Sequence, residues 1–183
     1  MHIPGLGQLS EGDCEGWLQS QPVPVRMFGG KLCRIVLEGY QDDENQTDFH
    51  KAIERLLAGG PDVLTDASES LYLYYKDYEE HWLEEGRAPL RASEVWQHVQ
   101  FGDQLIVTRR PDGDKAVWVS IECECAWECE HGLELVLKHG ASVTKLGPYD
   151  GHASNADSYS NPAFEHVVYV TIEMLYKAEH RFW

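Results

Sequence analysis

The sequence predicts a single α+β domain over residues 1–183, in which a mainly antiparallel sheet carries two longer helices and one short helix. Three observations predict it. Between Val117 and Trp127 the odd positions are apolar or cysteine (Val117, Val119, Ile121, Cys123, Cys125, Trp127), while from Ser120 onward the even ones are mostly glutamate. A period of two marks a strand with one face in a core and the other in water. Upstream, two long segments repeat apolar residues at steps of three and four, the spacing of an amphipathic helix. Turn signals at Gly29-Gly30, Pro111 to Asp114 and His139-Gly140 divide the remainder into an N-terminal hairpin and a C-terminal four-strand meander.

In chain order, residues 1–16 carry four glycines and a proline without any period, and are expected to be loop. The runs Val23 to Phe28 and Lys31 to Leu37 flank Gly29-Gly30, which can supply the positive φ angles of a tight hairpin. Phe49, Ile53, Leu56 and Leu57 then give the first helix, with Thr47 as its expected cap and Gly59-Gly60-Pro61 ending it. Leu71, Tyr74, Tyr75, Tyr78 and Trp82 give the second, whose aromatic stripe is expected in the core. Ser93 and Glu94 open a short helix carrying Val95, Trp96 and Val99.

The meander is expected to run Gln104 to Arg109, then from Lys115, then Leu133 to Lys138, and Ser142 to Leu146. An unbroken strand from Lys115 to Leu137 would far exceed ordinary strand length, so Glu128 to Gly132 must turn or bulge. A two-residue turn at His139-Gly140 would set Glu134 opposite Lys145 and Val136 opposite Val143. After Leu146 the composition is that of a loop, and residues 163–183 read equally as strand, over Val167 to Ile172, or as helix.

Fifteen basic and 31 acidic side chains leave a formal charge of −16, which repels nucleic acid and anionic membrane surfaces. No apolar run approaches the roughly 20 residues that cross a bilayer, and the start lacks a secretory pattern. These features predict a cytoplasmic protein. Five cysteines, three of them at Cys123, Cys125 and Cys129, do not form a secreted disulfide framework.

Trp127, Glu130, His131 and Gly132, spaced W-x-x-E-H-G, precede Leu133 to Leu137, Gly140 and the G-x-x-D-G-H run from Gly147 to His152. This pattern resembles an uncharacterised bacterial domain family of unknown function, and the resemblance extends upstream through the tyrosine-rich and Val95-Trp96 helices. The family carries no activity to transfer. Similar small acidic domains occur among immunity and interaction proteins, which by analogy implies a binding role.

Glu130 and His131 with Asp150 and His152 are the candidate chemical residues, since carboxylates and imidazoles on neighbouring loops can move protons or bind metal. The competing expectation is that Glu130 and His131 bond backbone groups freed at a strand break, with Gly132 at positive φ. Cys123, Cys125, Cys129 and His131 include zinc-ligand types, and Cys129 and His131 are the metal candidates, but the spacing is poor for a zinc site and no structural zinc is expected. Cys123 and Cys125, however, lie two apart on a strand rather than on a turn, and are expected to be core. No phosphate-cradling loop, dinucleotide fingerprint or HExxH helix suggests a cofactor. Glu122, Glu124, Glu128 and Glu130 are expected to be solvated. The sequence thus predicts a non-enzymatic acidic module for a basic protein partner, the alternative being a small hydrolase or metal-dependent enzyme using Glu130, His131, Asp150 and His152.

Overall fold

The computed structural model describes residues 2–180. The alternating stretch forms β8 (Val117–Cys125), which pairs along its length with β9 (Glu128–Lys138). Val119 faces Leu137, Ile121 faces Leu135 and Cys123 faces Leu133, so apolar residues meet across the ladder on one side. With β10 (Ser142–Gly147) and β7 (Val99–Arg109) these strands make an antiparallel meander. The described sheet is eight-stranded and continues from β7 to β6 (Lys31–Leu37), then β4 (Leu18–Gln19) and β3 (Ser10–Glu11), while β5 (Val23–Val25) pairs β6 off this path. The chain is α+β, with its sheet rich in antiparallel pairs.

One junction is parallel: Arg34 to Leu37 of β6 pair Gln104 to Val107 of β7. Parallel neighbours need a long crossover, and here it contains α1 (Gln46–Ala58), α2 (Asp62–Thr65) and α3 (Ser68–Glu84). Phe49, Ile53 and Leu56 of α1 and Leu71, Tyr74, Tyr75 and Trp82 of α3 join the odd residues of β8 and β9 in one buried cluster. The aromatic stripe is core, although Tyr78 is only half-buried. The short helix is 3-10, Val95–His98.

Several boundaries differ from expectation. Residues 2–11 are not simple loop, because β1 (His2–Ile3) pairs β2 (Gly7–Gln8), β3 extends the main sheet, and Ile3, Leu6 and Leu9 are buried. Such two-residue pairings are too short to show a period. The first hairpin keeps Gly29 and Gly30 at φ 68° and 84°, but a 3-10 turn, Arg26–Phe28, replaces the end of its first strand. Thr47 lies inside α1 rather than capping it. The helix start is instead tied to β7, where the Arg109 guanidinium bonds Asp43 at 2.7 and 3.0 Å and Asp48 at 3.1 Å. β7 begins at Val99, five residues early, and is irregular between Phe101 and Leu105. Gly102 permits this, since a Cβ there would stand 2.4 Å from the Glu122 carbonyl oxygen.

The last hairpin also departs from the expected register. His139 and Gly140 take left-handed φ, Ala141 extends the turn, and the ladder shifts between Val143 and Lys145. Val143 therefore faces Leu137 and Lys145 faces Val136, so the expected pairing of Val136 with Val143 fails. Glu134 and Lys145 still meet at 2.7 Å, as diagonal rather than direct neighbours. In the C-terminal segment, after the short α4 (Asn155–Ser158), helix prevails as α5 (Ile172–Glu179), and no strand forms over 167–172. Residues 181–183 of that expectation lie outside the described part.

The turn after β8 falls at Ala126-Trp127, because Cys125 already pairs Glu128. Trp127 drops into the core, 5.9 Å from the rings of both Tyr74 and Tyr75 in edge-on contact. Trp127→Ala should lower stability by about 3–5 kcal/mol in denaturant melts, the range for truncating a buried aromatic; a loss below about 1 kcal/mol would contradict this packing.

Candidate functional site

The break expected at 128–132 is a bulge that follows the turn. Cys123 pairs Leu133 and Cys125 pairs Glu128, so Cys129 to Gly132 on β9 stand against Glu124 alone. Glu128, expected in water, is buried. Its carboxylate accepts the N–H groups of Glu130 at 2.9 Å and His131 at 2.8 Å, donors that the interrupted ladder leaves unpaired. Gly132 takes φ +61°, and a Cβ there would come within 2.6 Å of the Cys123 carbonyl oxygen. Its own carbonyl accepts the Tyr74 hydroxyl at 2.7 Å, anchoring the bulge to α3. The side chain that bonds the freed backbone is thus Glu128, while Glu130 and His131 point outward and are exposed.

Glu130 and His131 line a groove of about 580 Å³ with Asp103, Glu122, Glu124 and Tyr149. No lysine or arginine lines it among the described residues. Glu122 and Glu124 are exposed, as their even positions predict, and Cys129 opens onto the same groove.

The four thiol and imidazole candidates separate. Cys123 and Cys125 face the core, where burial pushes each thiol up to about 12, far from the thiolate a metal needs. Cys129 and His131 are exposed on the bulge. The described residues with donor atoms close enough to share an ion are instead Glu128, Glu130 and His131, within 4.8 Å of one another. Both Glu128 oxygens are engaged by backbone N–H groups, which competes with that use.

Asp150 and His152 do not meet Glu130 and His131 in one cavity. Asp150 Oδ1 accepts from Lys145 Nζ at 2.5 Å and from the His152 N–H at 2.9 Å, and lies 3.2 Å from His152 Nδ1. Lys145 is 1 % exposed and also reaches Glu134. Burial, with the neighbouring Asp150 charge, raises the Glu134 carboxyl despite Lys145, whereas for Asp150 burial is outweighed by Lys145, the His152 N–H and Ser158 together, which hold the carboxyl low. His152 lines a second cleft, of about 780 Å³, whose floor includes Trp118 and Val136. One backbone bond links the two regions, from the Tyr149 N–H to the His131 carbonyl at 3.2 Å.

Residues 5–153 match the family described as Domain of unknown function (DUF6985). The chain belongs to that family. The match takes in the groove, the bulge and helices α1–α3, and ends within the loop after β10. No curated protein and no solved structure matches the chain. No helix among the described residues is long and apolar enough to cross a membrane.

Sequence reasoning pairs Glu134 with Lys145 but misses that both are buried beneath that loop, and it misses the buried Arg110 altogether. Their signal was faint but present, since Glu134 and Lys145 fall on the outer face of strands that are otherwise strongly apolar.

If Glu128 holds the bulge, Glu128→Ala should cost about 1–3 kcal/mol, the penalty for leaving backbone donors unmatched. Glu130→Ala and His131→Ala should each stay within about 0.5 kcal/mol. Urea titration of the three variants checks the order, and equal effects would refute it.

Proposed function

We propose that this chain is a non-enzymatic binding module for a basic protein, engaged through the groove between β7, β8 and the β9 bulge. The observation that carries this reading is the lining: Asp103, Glu122, Glu124 and Glu130 converge from three strands with no lysine or arginine among the described lining residues. Around the groove the chain as a whole carries −16, which draws a cationic partner in from a distance and disfavours nucleic acid. An immunity-like role in a bacterial cytoplasm fits these features, with a nuclease-like toxin as the kind of partner whose phosphate-binding cleft an acidic surface would occupy. The hydrolase alternative needs Glu130, His131, Asp150 and His152 around one substrate, and it has less support because Glu130 and His131 line the groove, His152 lines the second cleft and Asp150 lines neither.

Tagged chain would capture the partner from the native cell at low salt, and stopped-flow mixing would follow the purified pair. The association rate should fall by about tenfold or more as salt rises to roughly 0.5 M. Changing Glu122, Glu124 and Glu130 together to glutamine should slow association by about tenfold with little change in the unfolding midpoint. Salt-independent association would overturn the proposal, as would a turnover that a folded His131→Ala variant loses.

A further inference from the structure

The loop after β10 is fastened to the sheet in an unusual way. It leaves at Pro148 and returns by Val167, and its two ends are clamped together: the Leu146 N–H donates to the Val168 carbonyl at 2.8 Å. Asn155, buried, donates from Nδ2 to the Val167 and Val168 carbonyls at 2.8 and 3.1 Å. A loop with closed ends can move without pulling on the strands that carry it.

Little apolar burial holds it down. Across residues 148–167 only Ser154, Asn155 and Phe164 are buried, and the half-buried Ala153 packs against the small cluster of Ala116, Trp118 and Val136. Its hold on the sheet is mainly ionic, beside the one backbone bond from the Tyr149 N–H to the His131 carbonyl at 3.2 Å. Arg110, 4 % exposed at the end of β7, donates to Glu165 at 2.5 and 2.9 Å, Asp157 at 2.7 Å and Ser154 at 2.8 Å. Lys145 holds the near end through Asp150 and, at 3.1 Å, the His152 carbonyl. On the sheet side, Asp114 lies 3.8 Å from Arg110, and Glu134 bonds Lys145. Each cation thus keeps one carboxylate that does not belong to the loop, Asp114 in the β7–β8 turn for Arg110 and Glu134 on β9 for Lys145, which lowers the penalty of exposing it unpaired when the loop departs.

We propose that residues 148–167 form an electrostatically latched flap over the outer face of the sheet, closed by Arg110 and Lys145. Opening the flap uncovers Trp118 and Val136 and widens the second cleft beneath it. Three of the latch residues, Ser154, Asp157 and Glu165, lie beyond the stretch that matches the family, whereas Arg110, Lys145 and Asp150 lie within it, so the closure joins the matched domain to the segment that follows it.

Hydrogen exchange on the full chain tests this, read separately over 150–166 and over β8 and β9. In the parent chain the flap amides should exchange through an opening that leaves the two strands protected. Asp157→Asn with Glu165→Gln should speed flap exchange by about tenfold and leave β8 and β9 unchanged, because charge-assisted bonds are lost on one side only. Asp150→Asn should act likewise on the near end, and Phe164→Ala should act less than the Asp157 and Glu165 pair. Unchanged flap exchange in the charge variants would overturn the latch, as would equal loss of protection in the strands or a larger effect from Phe164→Ala.

Discussion

The buried carboxylate of Glu128 is the contact on which the shape of the groove depends. A two-residue turn at Ala126-Trp127 sends one side chain into the core and brings the next strand back one residue later. The ladder cannot remain in step, because four residues of β9 must pass a single residue of β8. Two N–H groups lose their partners, and leaving them unsatisfied would be as costly as losing the bonds themselves. Glu128 accepts both, Tyr74 takes the Gly132 carbonyl, and the strand then resumes with Leu133 against Cys123. The bulge lifts Glu130 and His131 beside Glu122 and Glu124, so core packing and the acidic groove are consequences of the same turn.

The two faces of the sheet are held by different physics. Beneath it, Val119, Ile121, Leu135 and Leu137 meet α1 and α3 in a continuous apolar layer. Above it, Trp118 and Val136 form only a small patch, and the covering loop is secured by its partly buried carboxylates pairing with the buried cations Arg110 and Lys145. Such pairs add little net stability, since desolvation offsets attraction, but they reject arrangements that would leave one charge unmatched. Lys145 illustrates this: the ladder shift before it places it on the outer face opposite Val136, where it reaches both Glu134 and Asp150.

What the sequence made legible was what obeys a period. The buried odd residues of β8, the exposed Glu122 and Glu124, the core role of Tyr74 and Tyr75, and the positive φ of Gly132 all follow from alternation, helical spacing or glycine chemistry. Three things were not legible. The short edge pairs near Ile3 and Leu9 are too brief to show a pattern, and the parallel junction of β6 with β7 depends on where the crossover helices pack. Glu128 sits in a run of look-alike glutamates, and only the position of the turn decides which one faces inward. For the candidate site, Glu130 and His131 do reach one groove, whereas Asp150 and His152 were grouped with them by sequence proximity and residue type, and the Lys145 network draws them away.

The central claim is that the Glu128 carboxylate, by bonding two backbone donors, builds the bulge that shapes the groove. Amide exchange measured residue by residue in solution tests it most directly. The Glu130 and His131 amides should be protected in the parent chain and lose that protection in Glu128→Ala, while Leu133 to Leu137 remain protected. Unprotected Glu130 and His131 amides in the parent, or protection that persists without the Glu128 carboxylate, would contradict the account.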